Sequence, residues 1–298
     1  MDPLRGLADI AWACMHGAYT SAEEVPGWLE ALRSADSGAR DAALAGLWNA
    51  VIHQGTRWQV SAHVVPFLVR LIDDPANPGR AELMTLLRDI GVGPRGDRDL
   101  PFDPGVAFGR HGSQHVTKEQ EDAIVELVYH LEEEITDDWA DIADACAEKW
   151  EADAYWAAAT HVDVYIRWLV DADSDVGSQA AELLAWFKPT EPTIASLLGA
   201  DRNDAVRASA NLALAHLDVP GNAIANKMAL LLQHDSLTIK LTAAVALAYR
   251  VGQNIPDRAL EILIDAKESQ TLPDFPPGWR QRAQRGYAAL ALQRLGLT

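Results

Sequence analysis

The chain has 298 residues and carries 25 Lys+Arg against 43 Asp+Glu, a formal net charge of −18. With 49% apolar and 23% charged residues the composition is that of a folded globular protein, which excludes wholesale disorder. The negative field disfavours nucleic acid and anionic lipid and favours basic partners. Cys14 and Cys146 lie far apart and form neither a CxxC pair nor a disulfide framework, the apolar run Ile10 to Met15 is too short for a signal-peptide core, and no apolar run approaches the ~20 residues that cross a bilayer. The expectation is a cytoplasmic protein with no membrane association.

Taken in order, Leu4 to His16 reads as an amphipathic helix suited to cap a stack. Glu23 to Leu32 is a helix with Pro26 in its opening turn, where the missing N–H costs nothing. Asp36-Ser37-Gly38 is a turn and Ala39 to Leu47 opens the partner helix. Val65-Pro66-Phe67-Leu68-Val69 repeats Val25-Pro26-Gly27-Trp28-Leu29, with Arg80 to Val92 as its partner. Between Gly91 and Val116 the helical period fails. Gly93-Pro94-Arg95-Gly96, Leu100-Pro101 and Asp103-Pro104-Gly105 are turn chemistry, giving a long insertion that is either functional or mobile. Helices resume over Lys118 to Glu134 and Asp137 to Asp153, which hold fourteen acidic residues against two lysines.

Beyond Asp173 one pattern returns. Asp175-Val176 with Ala180, Leu183 and Leu184 recurs as Asp204-Ala205-Val206 with Ala210, Ala213 and Leu214, then as Ile239 with Ala243, Ala246 and Leu247. Small side chains at these positions let the two helices of a hairpin approach closely, and a period near thirty residues belongs to stacked supersecondary units. Glu191 to Leu198 and Ala223 to Leu232 are the first helices of two such hairpins, and Pro256 to Ala266 with a helix opening at Trp279 is the last, after the proline-rich Leu272 to Pro277. The expected fold is all-α, an α-solenoid of about seven antiparallel hairpins in a single domain 1–298, with hairpins in 1–92, a loop insertion in 93–117, and the acidic pair and further repeats in 118–298.

The segment Asp204-Ala205-Val206-Arg207-Ala208-Ser209-Ala210 resembles the HEAT-repeat family, whose second helices tend to begin Asp-x-x-Val-Arg-x-x-Ala. The resemblance covers about residues 23–92 and 160–298, weakly at the last hairpin, and His53 to Leu68 also resembles actinobacterial HEAT-repeat domain proteins without assigned function. It implies a protein-binding scaffold more often than an enzyme. Among HEAT-like enzymes, deoxyhypusine hydroxylase uses His-Glu pairs for iron, and no His here is followed by Glu. The alkylpurine DNA glycosylases use Trp and Asp on a basic face, which suits an acidic chain poorly.

Candidate sites are few. Gly91-Val92-Gly93-Pro94-Arg95-Gly96 spells GxGxxG but lacks the preceding strand and following helix that a dinucleotide site needs. His111 and His115 share a loop without further paired ligands, so no metal is assigned. No GxSxG, HExxH or P-loop is present, and no catalytic residue or cofactor is assigned. Asp137, Asp141, Asp144, Glu148 and Glu151 recur at helical spacing as an acidic stripe, opposite a core-facing stripe of Trp139, Ala143, Cys146 and Trp150. That stripe is either a solubilising surface or a docking face for a basic protein. His53, Gln54, Arg57 and Trp58, read as an inter-helix loop, form a second candidate patch because Arg and Trp are favoured interface anchors. The functional expectation is a non-catalytic module binding a basic protein. The alternatives are an immunity or antitoxin-like protein neutralising a basic bacterial toxin, and an enzyme on a HEAT-like scaffold such as a DNA glycosylase.

Overall fold

The computed structural model describes residues 2–19, 21–110, 115–127, 136–269, 275–279 and 283–297. Among the described residues the chain is all-α apart from one short strand pair. It divides into two compact units, residues 1–95 with 103–161 and residues 96–102 with 162–298.

In the first unit, α1 (Val25–Ala31) packs on α2 (Ser37–Val51) and α3 (Ser61–Asp73) on α4 (Arg80–Gly91). The short α5 (Pro104–Ala107) and α6 (Lys118–Val125) precede α7 (Asp137–Ala159), which packs on α6 and lies across both α3 and α4. Capping residues set the starts: Asp36 accepts from the Gly38 N–H at 3.0 Å, and Thr117 and Gln120 form a reciprocal capping box at α6. Between α2 and α3 the chain forms a two-stranded hairpin, β1 (Ile52–His53) with β2 (Thr56–Arg57), pairing His53 with Thr56. Its turn residues Gln54 and Gly55 have φ of 50° and 86°, the two positive values of a type I′ turn.

In the second unit, α8 (Val162–Trp168) pairs with α9 (Ser174–Leu184), α10 (Glu191–Leu198) with α11 (Asp204–His216), α12 (Asn222–Leu231) with α13 (Leu237–Val251), and α14 (Asp257–Glu268) with α15 (Gln284–Arg294). The second helices α9, α11, α13 and α15 contact one another in that order. Their facing residues are small: Ala180, Ala181, Ala210, Ala213, Ala243 and Ala246 are all buried, and a Cβ at Gly177 would come within 2.9 Å of Val206. Buried polar groups run between the same helices. Ser209 donates to the Ser178 carbonyl at 2.6 Å and the Asn211 amide reaches Thr242 Oγ1 at 3.1 Å.

One device recurs in both units. An arginine in the first turn of a second helix donates to carbonyls at the end of the first helix or in the turn just after it: Arg80 to Ile72, Arg207 to Leu198, Arg285 to Ser269, and Arg40 to Ser34 and Ala35. A helix end leaves carbonyls without intrahelical partners, and a cation there also meets the negative end of the helix dipole. Arg207 is buried and ties in Asn211 at 2.9 Å and Asp201 at 3.4 Å as well.

Two sequence expectations change. Leu4 to His16 is not one helix but two 3₁₀ turns, Leu7–Asp9 and Trp12–Cys14, because Gly6 takes φ 87° and the buried Trp12 indole donates back to the Leu7 carbonyl at 2.8 Å. Trp279 does not open the last helix; it closes a turn, its N–H donating to the Pro276 carbonyl at 3.2 Å, and α15 begins at Gln284.

Replacing Arg207 with Ala strands the Leu198 carbonyl and Asn211 in the interior, so urea unfolding should show a loss of about 2–4 kcal/mol. Arg258→Ala, which removes an exposed pair with Glu261, should cost under about 1 kcal/mol. His216 is buried between Tyr249 and Trp279, and burial, with Arg294 adding, pushes its imidazole down to about 4. The unfolded chain takes up that proton below pH ~6.5 and the folded chain does not until near pH 4. Stability should therefore fall by about 3 kcal/mol as pH drops through this window. His216→Phe should flatten that part of the urea-midpoint profile.

Candidate functional site

The acidic stripe and the His53–Trp58 patch meet at the C-terminal half of α7 through Glu151 and Arg57, and part of each is consumed internally. The 23-residue α7 packs on α3, α4, α6 and β2, with Cys146 and Trp150 on Ile124 and Val125 of α6 and Glu151 against Arg57 of β2. Asp137, Asp141 and Asp144 are exposed. Glu148 is 8% exposed and accepts from the Arg110 N–H at 3.1 Å, and Glu151 Oε2 lies 2.9 Å from Arg57 Nη2 and 3.5 Å from Arg95 Nη2. The solvent-facing stripe is thus corrected to its first three members. The opposite face is core: Cys146 and Trp150 are buried with Ile124 and Val125, and Trp139 and Ala143 pack against them.

Arg57 is corrected more sharply, from an accessible anchor to a fully buried side chain at 0% exposure. The β-hairpin causes this: His53 and Thr56 pair, so Arg57 follows on the strand and its guanidinium is driven under the turn after α4. Arg57 Nη1 donates to the Gly55 carbonyl at 2.7 Å, and a side chain at Gly93 would overlap the guanidinium, which is why glycine stands there at φ 79°. Burial lowers the Arg57 pKa to about 10 against the raising effect of Glu151. Arg88 donates to the Gly93 and Arg95 carbonyls at 2.5 Å each, Arg95 donates to Val92 at 2.6 Å, and Asp89 is pushed upward by burial despite its neighbour Arg88. The GxGxxG segment is therefore an arginine-stapled turn.

Trp58 is also not free surface. It is half-buried with its ring 5.7 Å from Trp150, whose indole donates to Glu121 Oε1 at 2.5 Å. His53 and Gln54 remain accessible, and His53 Nδ1 lies 2.6 Å from the exposed Tyr19 hydroxyl. Glu121, Arg88, Asp89 and Arg95 belong to this cluster although no sequence spacing marks them. Cys146 is raised to about 11 by burial and then by Glu121, an unreactive thiol.

The inserted loop is used in part as packing. Phe108 is buried against Tyr155 at 5.5 Å with the Arg95 guanidinium over its ring at 5.3 Å. His111 lies outside the described residues and His115 is exposed; among the described residues no group of three His, Cys, Asp or Glu is placed to hold a metal ion. No helix among them is long and apolar enough to cross a membrane. Arg280 and Arg282 also lie outside the described residues, while Arg294 stacks on Tyr249 at 4.8 Å.

No family model and no curated protein matches the chain. Among solved structures, an engineered protein aligns over 92% of this chain and 95% of its own at 17% identity with a TM-score of 0.32. Human deoxyhypusine hydroxylase in complex with glycerol aligns over 92% and 96% at 16% identity with a TM-score of 0.29. Both scores are too low to carry an argument about this chain.

Glu151→Ala leaves the buried Arg57 without its carboxylate, and chemical denaturation should show about 2–4 kcal/mol lost. Combining it with Arg57→Met should recover part of that loss, giving a coupling energy above about 1 kcal/mol.

Proposed function

We propose that this chain is a non-catalytic protein-binding module, an α-solenoid of about seven HEAT-like hairpins, that docks a basic partner protein through the exposed carboxylates of α7. The helix pairs in each unit and the ordered contact of α9, α11, α13 and α15 support the solenoid reading. The partner reading rests on one observation. Glu148 and Glu151 are bound internally, whereas no hydrogen bond or ion pair among the described residues engages the side chains of Asp137, Asp141 or Asp144.

Internal needs do not account for all three. Asp137 sits in the first turn, where the helix dipole favours it, but Asp141 and Asp144 lie beyond that turn. Like charges at i,i+3 and i,i+4 cost a helix a few tenths of a kcal/mol. A cationic partner converts this repulsion into attraction and speeds encounter.

Changing Asp137, Asp141 and Asp144 to Lys in the tagged full-length chain should abolish salt-sensitive retention of a basic protein from the source cell, with the unfolding midpoint of the chain unchanged. The native complex should dissociate near 1 M salt, where the Debye length is about 3 Å. Retention unaltered by the triple reversal contradicts the assignment.

A further inference from the structure

The N-terminal segment of the first unit folds against α1 and leaves a cleft beside it. Gly6, at φ 87°, turns the chain into the 3₁₀ turn Leu7–Asp9, and the Trp12 indole, donating to the Leu7 carbonyl at 2.8 Å, holds its own ring against that turn. The cleft has a volume of about 580 Å³, with this segment on one side and Pro26, Glu30 and Arg33 on the other. Small-molecule sites have this size, roughly 300–1,000 Å³.

Its lining is of two kinds. Leu4, Leu7 and Trp12 are buried side chains that give it an apolar floor. The charge sits on exposed residues around that floor. Arg33 is engaged by Asp2 at 3.4 Å, whereas no hydrogen bond or ion pair among the described residues engages the carboxylates of Asp9 or Glu30. Asp9 Oδ2 lies 3.7 Å from where a Cβ on Gly6 would stand, so this carboxylate is turned back over the lining of the cleft. Two uncompensated carboxylates beside an indole are the groups that hold an ammonium: the carboxylates accept its charge-assisted hydrogen bonds, and indole is the side chain that attracts a cation best. An anionic ligand would meet both carboxylates with nothing to offset them. A neutral apolar ligand would gain from the floor alone.

We infer that this cleft is a binding site for a small amphipathic amine, an ammonium on an aryl or alkyl stem, with the stem on Leu4, Leu7 and Trp12 and the ammonium engaged by Asp9 and Glu30. It shares no residue with the exposed carboxylates of α7, so it stands or falls separately from the docking of a basic partner.

The test is isothermal titration calorimetry of the full-length chain at about 0.15 M salt, where long-range attraction to an acidic surface is screened. The probes are 4-phenylbutylamine, 4-phenylbutan-1-ol and 4-phenylbutyrate, which share a stem and differ in charge. The amine should bind at least ~5-fold more tightly than the alcohol, and the carboxylate should not bind. Asp9→Asn with Glu30→Gln, at two exposed positions, should remove the preference for amine over alcohol. Ala8→Trp, at an exposed position in the lining, should fill the cleft with both carboxylates kept and abolish binding of amine and alcohol alike. Equal binding of amine and alcohol by the native chain overturns the inference. So does a preference unchanged in the Asn/Gln variant, or amine binding undiminished in Ala8→Trp with native circular dichroism, because the amine then binds the acidic surface at large.

Discussion

The hairpins depend on satisfying the carbonyls where each first helix stops. Turning the chain back brings that end beside the first turn of the following helix, and an arginine placed there spans the gap with several donors in one rigid fork. Arg40, Arg80, Arg207 and Arg285 do this in four pairs. The charges of Arg80 and Arg207 can be buried because they lie against a helix C-terminus, whose dipole compensates them. Where the register places Gly177 instead, the close packing on Val206 takes precedence and Arg202 reaches the Val170 carbonyl at 2.6 Å.

The same chemistry, concentrated, explains the acidic helix. Arg57, Arg88 and Arg95 converge on the turn after α4, and their carbonyl acceptors do not neutralise them. Glu151 supplies a carboxylate to two of them. Glu151 in the second half of α7 is thus demanded by buried arginine and Glu148 by the Arg110 N–H, while Asp137, Asp141 and Asp144 in its first half answer to solvent. A helix that reads as one uniform stripe is two surfaces with different physical reasons for their charge.

What was legible in the sequence follows from what is local. The hairpins were, because Val176, Val206 and Ile239 with their small followers repeat at a period near thirty residues and all are buried. The core-facing stripe of α7 was legible from its 3.6-residue period. The burial of Arg57 was not, because its ion-pair partner Glu151 is distant in sequence and the Gln54-Gly55 turn that aims it is a strand signal inside a helical chain. The Leu4 to His16 helix failed on one glycine at positive φ. The reach of Trp279 to Ser209 leaves no periodic trace at all.

The division of α7 is the claim on which the functional reading rests, and carboxylate footprinting of the native protein tests it directly. Carbodiimide coupling to glycine ethyl ester, read residue by residue by mass spectrometry, should modify Asp137, Asp141 and Asp144 rapidly. Glu121 and Glu148, both 8% exposed, should stay unmodified until the chain unfolds. Modification of Glu148 at the rate of Asp141 in the folded protein would contradict the account.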